Sequence, residues 1–149
     1  MVTTGRRYPV YDSLADQREI IMKRDIHILI VDDDDMIRDC MTAFLEDECF
    51  TVHTSASAEE ALMSIEAVNP AVCITDMRLP GMNGELFIQK AYGTCPNTHF
   101  MIHTGSAYVL ADELRAIGMN SDDVLLKPVH DLSLLSERVM KIVFREQQP

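Results

Sequence analysis

Apolar positions along this chain alternate between two rhythms. Short β-branched runs read as buried strands, and each is followed by a longer stretch in which apolar residues recur every three or four positions, as on one face of a helix. The first run, "IHILIV" (26–31), precedes "MIRDCMTAFLED" (36–47), where Met36, Ile37, Cys40, Met41, Phe44 and Leu45 keep helical spacing. "FTVHT" (50–54) alternates as a strand does, and "SAEEALMSIEAV" (57–68) predicts a helix with Ser57 as N-cap and Glu60 three residues on. "AVCIT" (71–75) predicts another buried strand, and "GMNG" (81–84) a loop before the helical "ELFIQKAY". "HFMIHT" (99–104), "AYVLADELRAIG" (107–118), "DVLL" (123–126) and "LSLLSERVMKIVF" (132–144) complete five strand–helix pairs. Ahead of them, the extension is expected to be flexible or to form a short extra helix over residues 13–24, with Leu14 and Ile21 on one face.

Strands alternating with helices of this length imply an α/β domain: a parallel sheet with helices on both faces. In such sheets ligands bind beyond the carboxyl ends of the strands. The polar residues at those ends are Asp32 and Asp33 after the first strand, Asp76 after the third, Thr104 after the fourth and Lys127-Pro128 after the fifth. They are expected along one edge.

Length and composition narrow the class. The 149 residues suit one compact domain, and 47 % hydrophobic content suffices for a core. A net charge of −11 argues against non-specific binding to nucleic acid or to an anionic membrane surface, but not against a cation or a basic partner protein. No run approaches the roughly 18 apolar residues of a membrane span, and no early segment resembles a signal peptide, so a cytoplasmic protein is expected. Cys40, Cys49, Cys73 and Cys95 lack C-x-x-C spacing and read as buried free thiols. His103 reads as a packing residue, and His27, His53, His99 and His130 show no metal-ligand spacing.

The run "DDDD" (32–35) sharpens the question. Adjacent carboxylates about 4 Å apart repel by roughly 4 kcal/mol at a surface-like dielectric, so the cluster is either fully solvated or held by something positive. Carboxylates converging with Asp76 suit Mg²⁺, with Mn²⁺ as an alternative. A carboxylate can also act as nucleophile toward a phosphoryl group, with a metal, a lysine and a hydroxyl neutralising the transferred charge. Asp76, alone after its strand, is the best placed nucleophile. Asp34 or Asp35 is expected to cap the first of the five paired helices.

Four motifs, "ILIVDD" (28–33), "ITDMRLPGMNG" (74–84), "HTG" (103–105) and "LLKP" (125–128), occur in order on this pattern. Together they resemble a response regulator receiver domain of two-component signalling. The resemblance implies a single doubly wound (βα)5 domain, a five-stranded parallel sheet of order 2-1-3-4-5, over residues 26–145. Residues 1–25 would then be an N-terminal extension and 146–149 a tail. It implies Asp76 as phospho-acceptor, with Asp32, Asp33, Asp76 and the backbone carbonyl of Arg78 serving the metal. Thr104 would be the switch hydroxyl and Lys127 the phosphoryl contact, its bond to Pro128 cis. Implied partners are a sensor histidine kinase or histidine phosphotransfer protein, an unidentified downstream protein, and a second copy in a phosphorylation-dependent homodimer. Direct nucleic-acid binding and membrane insertion are not expected, nor is turnover as an enzyme.

Some positions depart from that pattern. Val124 stands where many receivers carry an aromatic switch residue, and "GMNSDDVLLKP" is about two residues longer than the usual link into the last strand. Gly105 should leave the phosphoryl group open to water, and Arg78 and Ser106 sit where its lifetime is tuned. The leader before residue 22 is long, which makes Met22 a candidate start, and no room follows residue 145 for a further output unit, so output through protein contact is expected. Two competing readings are a haloacid-dehalogenase-like phosphatase using Asp32-x-Asp34, and a receiver fold that binds partners without phosphorylation.

Overall fold

A computed structural model describes residues 13–128 and 131–146. Residues 1–12 of the expected extension, His130 and residues 147–149 of the tail lie outside the described residues. In chain order the elements are α1 (Leu14–Arg24), β1 (His27–Val31), α2 (Asp35–Asp47), β2 (Thr51–Ser55), α3 (Ala58–Val68) and β3 (Val72–Thr75). There follow α4 (Gly84–Thr94), β4 (His99–Thr104), α5 (Asp112–Ala116), a 3-10 turn (Ser121–Asp123), β5 (Val124–Leu126) and α6 (Ser133–Glu146). All strand pairings are parallel, in the order β2-β1-β3-β4-β5. This is the expected doubly wound arrangement.

The middles of the central strands are continuously apolar, at Ile28–Val31, Val72–Ile74 and Phe100–Ile102, because both faces are covered. Leu29 and Val31 of β1, Cys73 of β3, and Phe100 and Ile102 of β4 pack against Ala61 and Ile65 of α3, Phe87 of α4 and Leu114 of α5. Their neighbours Ile28, Ile30, Ile74 and Met101 point the other way, onto Met41 and Leu45 of α2 and Leu135 and Val139 of α6. Among the described residues no helix is long and apolar enough to cross a membrane.

Local chemistry starts the helices. Ser57 Oγ accepts from the Glu60 amide at 3.1 Å, as expected of an N-cap, while Glu60 Oε2 reaches back to the Ala56 amide at 3.4 Å, one residue before the cap. Asp34, rather than Asp35, caps α2: its carboxylate accepts from the Met36 and Ile37 amides at 2.9 and 3.3 Å. Asp35 instead pairs with Arg38 one turn on.

Two expectations need correction. The helix expected over 107–118 is only Asp112–Ala116. Tyr108 packs against the core and Leu110 is buried, with Val109 84 % exposed between them, so the preceding segment buries alternate residues rather than a helical stripe. The Tyr108 hydroxyl, donating to Glu85 Oε2 at 2.9 Å, fixes that conformation. Of the four cysteines expected to be buried, only Cys73 and Cys95 are; Cys40 is exposed and Cys49 half-buried. Burial pushes the Cys73 thiol far up, with the nearby Cys95 adding to it.

The longer link into β5 has a structural use. Asn120 caps the 3-10 turn by accepting from the Asp122 amide at 2.9 Å, and Asp123 Oδ2 accepts from the Asn120 amide at 3.0 Å. That turns the Asp123 carboxylate inward, 3 % exposed, where its other oxygen lies 2.7 Å from His99 Nε2. Two further histidines without metal-ligand spacing also meet: His27 Nδ1 and His53 Nε2 are 2.9 Å apart on adjacent strands.

Candidate phosphoryl-acceptor site at the carboxyl edge of the sheet

Parallel pairing brings the polar strand ends together. The amide of Asp76 donates to the carbonyl of Val31 at 2.8 Å, continuing the β1–β3 ladder into the site and setting Asp76 beside Asp32. The amide of Lys127 donates to the carbonyl of Thr104 at 2.8 Å and does the same for β4 and β5. The Lys127–Pro128 peptide bond is cis.

Lys127 carries its ammonium into the acids. Nζ lies 2.7 Å from Asp32 Oδ2 and 3.0 Å from Asp76 Oδ2. Asp32 is 2 % exposed and Asp76 9 %, whereas Asp33 is exposed. Burial alone would lower the lysine pKa, but the hydrogen bonds and charges of the two carboxylates outweigh it and hold the pKa above the ordinary lysine value. The remaining oxygens of both acids are also oriented: Asp32 Oδ1 accepts from the Asp34 amide at 2.9 Å, and Asp76 Oδ1 from the Arg78 amide at a long 3.4 Å. Arg38 Nη1 donates to the Asp32 carbonyl at 2.5 Å, tying α2 to the end of β1.

One oxygen from each of Asp32, Asp33 and Asp76 lies within 4.8 Å of the others. Three carboxylates facing one ammonium leave uncompensated negative charge. An all-oxygen set with an exposed member fits a hard divalent cation that keeps some of its waters. The opening repulsion is therefore partly met by Lys127, and the rest is available for such an ion. Asp34, the second acid of the phosphatase alternative, spends its carboxylate on the α2 cap.

The backbone around Asp76 is held closely. A Cβ at Gly84 would come within 2.2 Å of the Asp76 carbonyl oxygen, so only glycine lets α4 begin there. Gly81, at φ +78°, turns the loop beneath the Glu59 carboxylate, which accepts from the Met82 amide at 2.8 Å and is thereby held below the usual carboxylate range. Neither Glu59 nor Arg38 was expected near the site; the partner of Glu59 lies 23 residues away, and no sequence signal links the two.

Thr104 is buried at the end of β4, its Oγ1 accepting weakly from the Ser106 amide at 3.5 Å. A Cβ on Gly105 would meet nothing within 4 Å, so the space beside Thr104 is open. His103 is buried as a packing residue, yet neither ring nitrogen has a hydrogen-bond partner among the described residues. Burial first, and then the Lys127 charge, lowers its pKa against the opposing pull of Asp32 and Asp76.

A doubly wound sheet with an acid cluster and an inserted lysine at its carboxyl edge is the arrangement that the four sequence motifs led one to expect. The model of the response regulator receiver domain matches residues 28–139, and the chain belongs to that family. It is 27 % identical over 122 residues to the cell cycle response regulator CtrA of Brucella ovis, an overlap of 82 % of this chain and 52 % of that protein. The chain thus spans about half the length of the curated relatives it matches. Among solved structures, the CheY-like receiver domain protein of Methanospirillum hungatei is 30 % identical with a TM-score of 0.70, covering 83 % of this chain and 98 % of that one. A receiver domain protein of Clostridium thermocellum is 26 % identical with a TM-score of 0.68, covering 82 % and 97 %. The acid cluster and the two Lys127 bridges are consistent with a phospho-accepting receiver site.

Proposed function

We propose that residues 26–145 form a phospho-accepting receiver unit in which Asp76 takes a phosphoryl group from a sensor histidine kinase or histidine phosphotransfer protein. The observation that carries this reading is the Lys127 ammonium held between Asp32 and Asp76, with a third carboxylate within reach. In the transfer, a carboxylate oxygen of Asp76 forms a bond to phosphorus while the P–N bond of the donor phosphohistidine breaks. The electron pair leaves with the imidazole nitrogen. Asp32, Asp33, Asp76 and the carbonyl of Arg78 are the proposed ligands of Mg²⁺, or of Mn²⁺. When bound, the ion supplies charge neutralisation for the phosphoryl oxygens. Lys127 exchanges its contact with Asp76 Oδ2 for one with a phosphoryl oxygen, and its second bond, to Asp32, keeps it oriented. Thr104, with only a long hydrogen bond to give up and open space beside Gly105, turns its hydroxyl onto the phosphoryl group.

That movement biases a protein-interaction surface built from β4, the segment before α5, and β5. The downstream protein, and a phosphorylation-dependent homodimer, are read through this face, in the cytoplasm. Val124 is a half-buried aliphatic residue packed against the core. Coupling therefore runs through Thr104 and the backbone joining it to Lys127 rather than through an aromatic at position 124.

Intact mass after incubation with acetyl phosphate and Mg²⁺ tests the assignment. One added phosphoryl mass is expected, absent when chelator is present from the start and absent in Asp76→Asn. Addition that survives Asp76→Asn would overturn the choice of acceptor. No addition under any condition would favour a receiver fold that acts by binding alone.

A further inference from the structure

The face of the sheet that turns toward α2 and α6 carries one residue that packing does not account for. On that face Ile30 of β1, Ile74 of β3, Met101 of β4 and Leu125 of β5 belong to one apolar cluster. Side chains two residues further along a strand share its face, so the next positions are Asp32, Asp76, His103 and Lys127. Val31 pairs with Thr75 and Thr75 with Ile102, which puts Asp32, Asp76 and His103 in one row, a step past each pair. Strand β4 lies between β3 and β5, so the Lys127 side chain crosses it to reach Asp76 and Asp32. The residue of β4 level with Lys127 is Gly105, one past the Thr104–Leu126 pair, and it has no side chain. His103 is therefore the side chain of β4 that the crossing passes over.

The ring is 5 % exposed, and neither of its nitrogens has a hydrogen-bond partner among the described residues. Leucine would fill the same space without leaving two polar atoms unpaired. The charges of Lys127, Asp32 and Asp76 all act on the ring. With its pKa held below the ordinary histidine value, it is neutral above neutral pH, so one nitrogen donates and the other accepts. Lys127 has the matching donor. An ammonium carries three N–H groups, and two of them go to Asp32 Oδ2 and Asp76 Oδ2. The third has no partner among the described residues. An unpaired acceptor and an unpaired donor thus share one face at one end of the sheet.

We propose that His103 is a positioning residue for phosphoryl transfer: its ring accepts the third Lys127 N–H as the ammonium leaves Asp76 Oδ2 for a phosphoryl oxygen. The inference rests on the phospho-acceptor reading above and deepens it. Before transfer, two carboxylates aim Lys127. As Asp76 becomes an acyl phosphate it loses its charge, and of the two only Asp32 still holds the ammonium. The bond to His103 replaces the one given up and keeps Nζ within reach of the phosphoryl oxygen. A neutral acceptor suits this place, because it adds a hydrogen bond without adding negative charge to a site that must admit a phosphoryl group.

Initial rates of phosphoryl uptake by the full chain test it, followed by intact mass over a range of acetyl phosphate concentrations with Mg²⁺. His103→Phe keeps the bulk of the ring and removes both nitrogens. Its maximal rate is expected to fall about tenfold, the equivalent of one hydrogen bond to a charged group, with the half-saturating donor concentration unchanged. His103→Asn and His103→Gln put an amide oxygen near the places of Nδ1 and Nε2, and one of the two should recover most of the rate. In a Lys127→Ala background, His103→Phe should change the rate less than about twofold, because the ring acts through the ammonium. Equal rates for the parent and His103→Phe would overturn the inference. So would equal losses in all three variants, which would assign the effect to packing, or losses that simply add in the double variant. If phenylalanine does not fit, the contrast between the Asn and Gln variants decides alone, and equal rates for those two overturn the inference. A parent that takes up no phosphoryl group would overturn the acceptor reading and this inference with it, whereas uptake indifferent to His103 overturns this inference only.

Discussion

The two halves of the carboxyl edge of the sheet are built to different standards. On the β1–β3 side each buried acid is fixed twice or more: Asp32 by Lys127 and by the Asp34 amide, Asp76 by Lys127 and by the close approach of Gly84. On the β4–β5 side the parts are looser. Thr104 has a 3.5 Å contact, α5 is five residues long, β5 is three, and a tyrosine hydroxyl and a histidine–aspartate pair do the pinning. Chemistry requires acids held within fractions of an ångström, whereas a switch requires a segment with two arrangements of similar energy. The rigid half suits the proposed phosphoryl transfer, and the loose half the proposed switch.

Lys127→Ala should break the rigid half most severely. It removes the cation between two buried carboxylates, and phosphoryl uptake from acetyl phosphate, followed by intact mass, should slow roughly a hundredfold to a thousandfold. A smaller change would mean that the ammonium is not the main neutralising group. His99→Ala attacks the loose half by stranding a buried carboxylate. Because Asp123 keeps its bond from the Asn120 amide, the expected loss is about 2 kcal/mol in urea unfolding. Unchanged stability would show that the pair contributes nothing to seating β5.

Tyr108→Phe should cost about 1 kcal/mol, the usual net worth of one hydrogen bond, while removing the phenol whose pKa burial and the Glu85 carboxylate push up to about 12. If the 107–111 segment is the moving part, amide exchange there should accelerate in Tyr108→Phe and leave β1 and β3 untouched. Uniform acceleration would erase the distinction between the halves. The smallest effect on stability belongs to His103, which sits between them. Its lowered pKa means that the unfolded chain takes up a proton at a higher pH than the folded one. The stability contribution is therefore complete above the ordinary value of 6.5 and is lost as pH falls through the depressed folded value. His103→Leu should flatten that acid-side slope and leave stability at neutral pH nearly unchanged. An unaltered slope would assign the acid sensitivity elsewhere.

Much of this molecule was legible before any coordinates. Strands buried on both faces carry near-continuous apolar runs, and "IHILIV", "AVCIT" and "HFMIHT" hold such runs at their centres; the resemblance carried by four spaced motifs then supplied the strand order. The segment before α5 misled because Ala107, Leu110, Ala111 and Leu114 keep helical spacing, whereas the packing of Tyr108 and Leu110 on one core shows an extended segment. Asp123 opens the expected strand "DVLL" (123–126), and nothing local shows that a 3-10 turn will rotate its carboxylate onto His99.

Sequence by itself determined the class of fold, the order of the elements and the polar residues at the strand ends, because periodicity and chain order are local properties of a polymer. Only the tertiary structure decided which oxygen meets which nitrogen: that Lys127 bridges Asp32 and Asp76, that Asp34 is spent on a cap, that Glu59 holds the loop at Met82, and that α1 is left with an uncovered apolar stripe. Those are contacts between residues 23 to 95 positions apart in most cases, and contacts at such separations are set by the packing of the whole sheet rather than by any neighbouring residue.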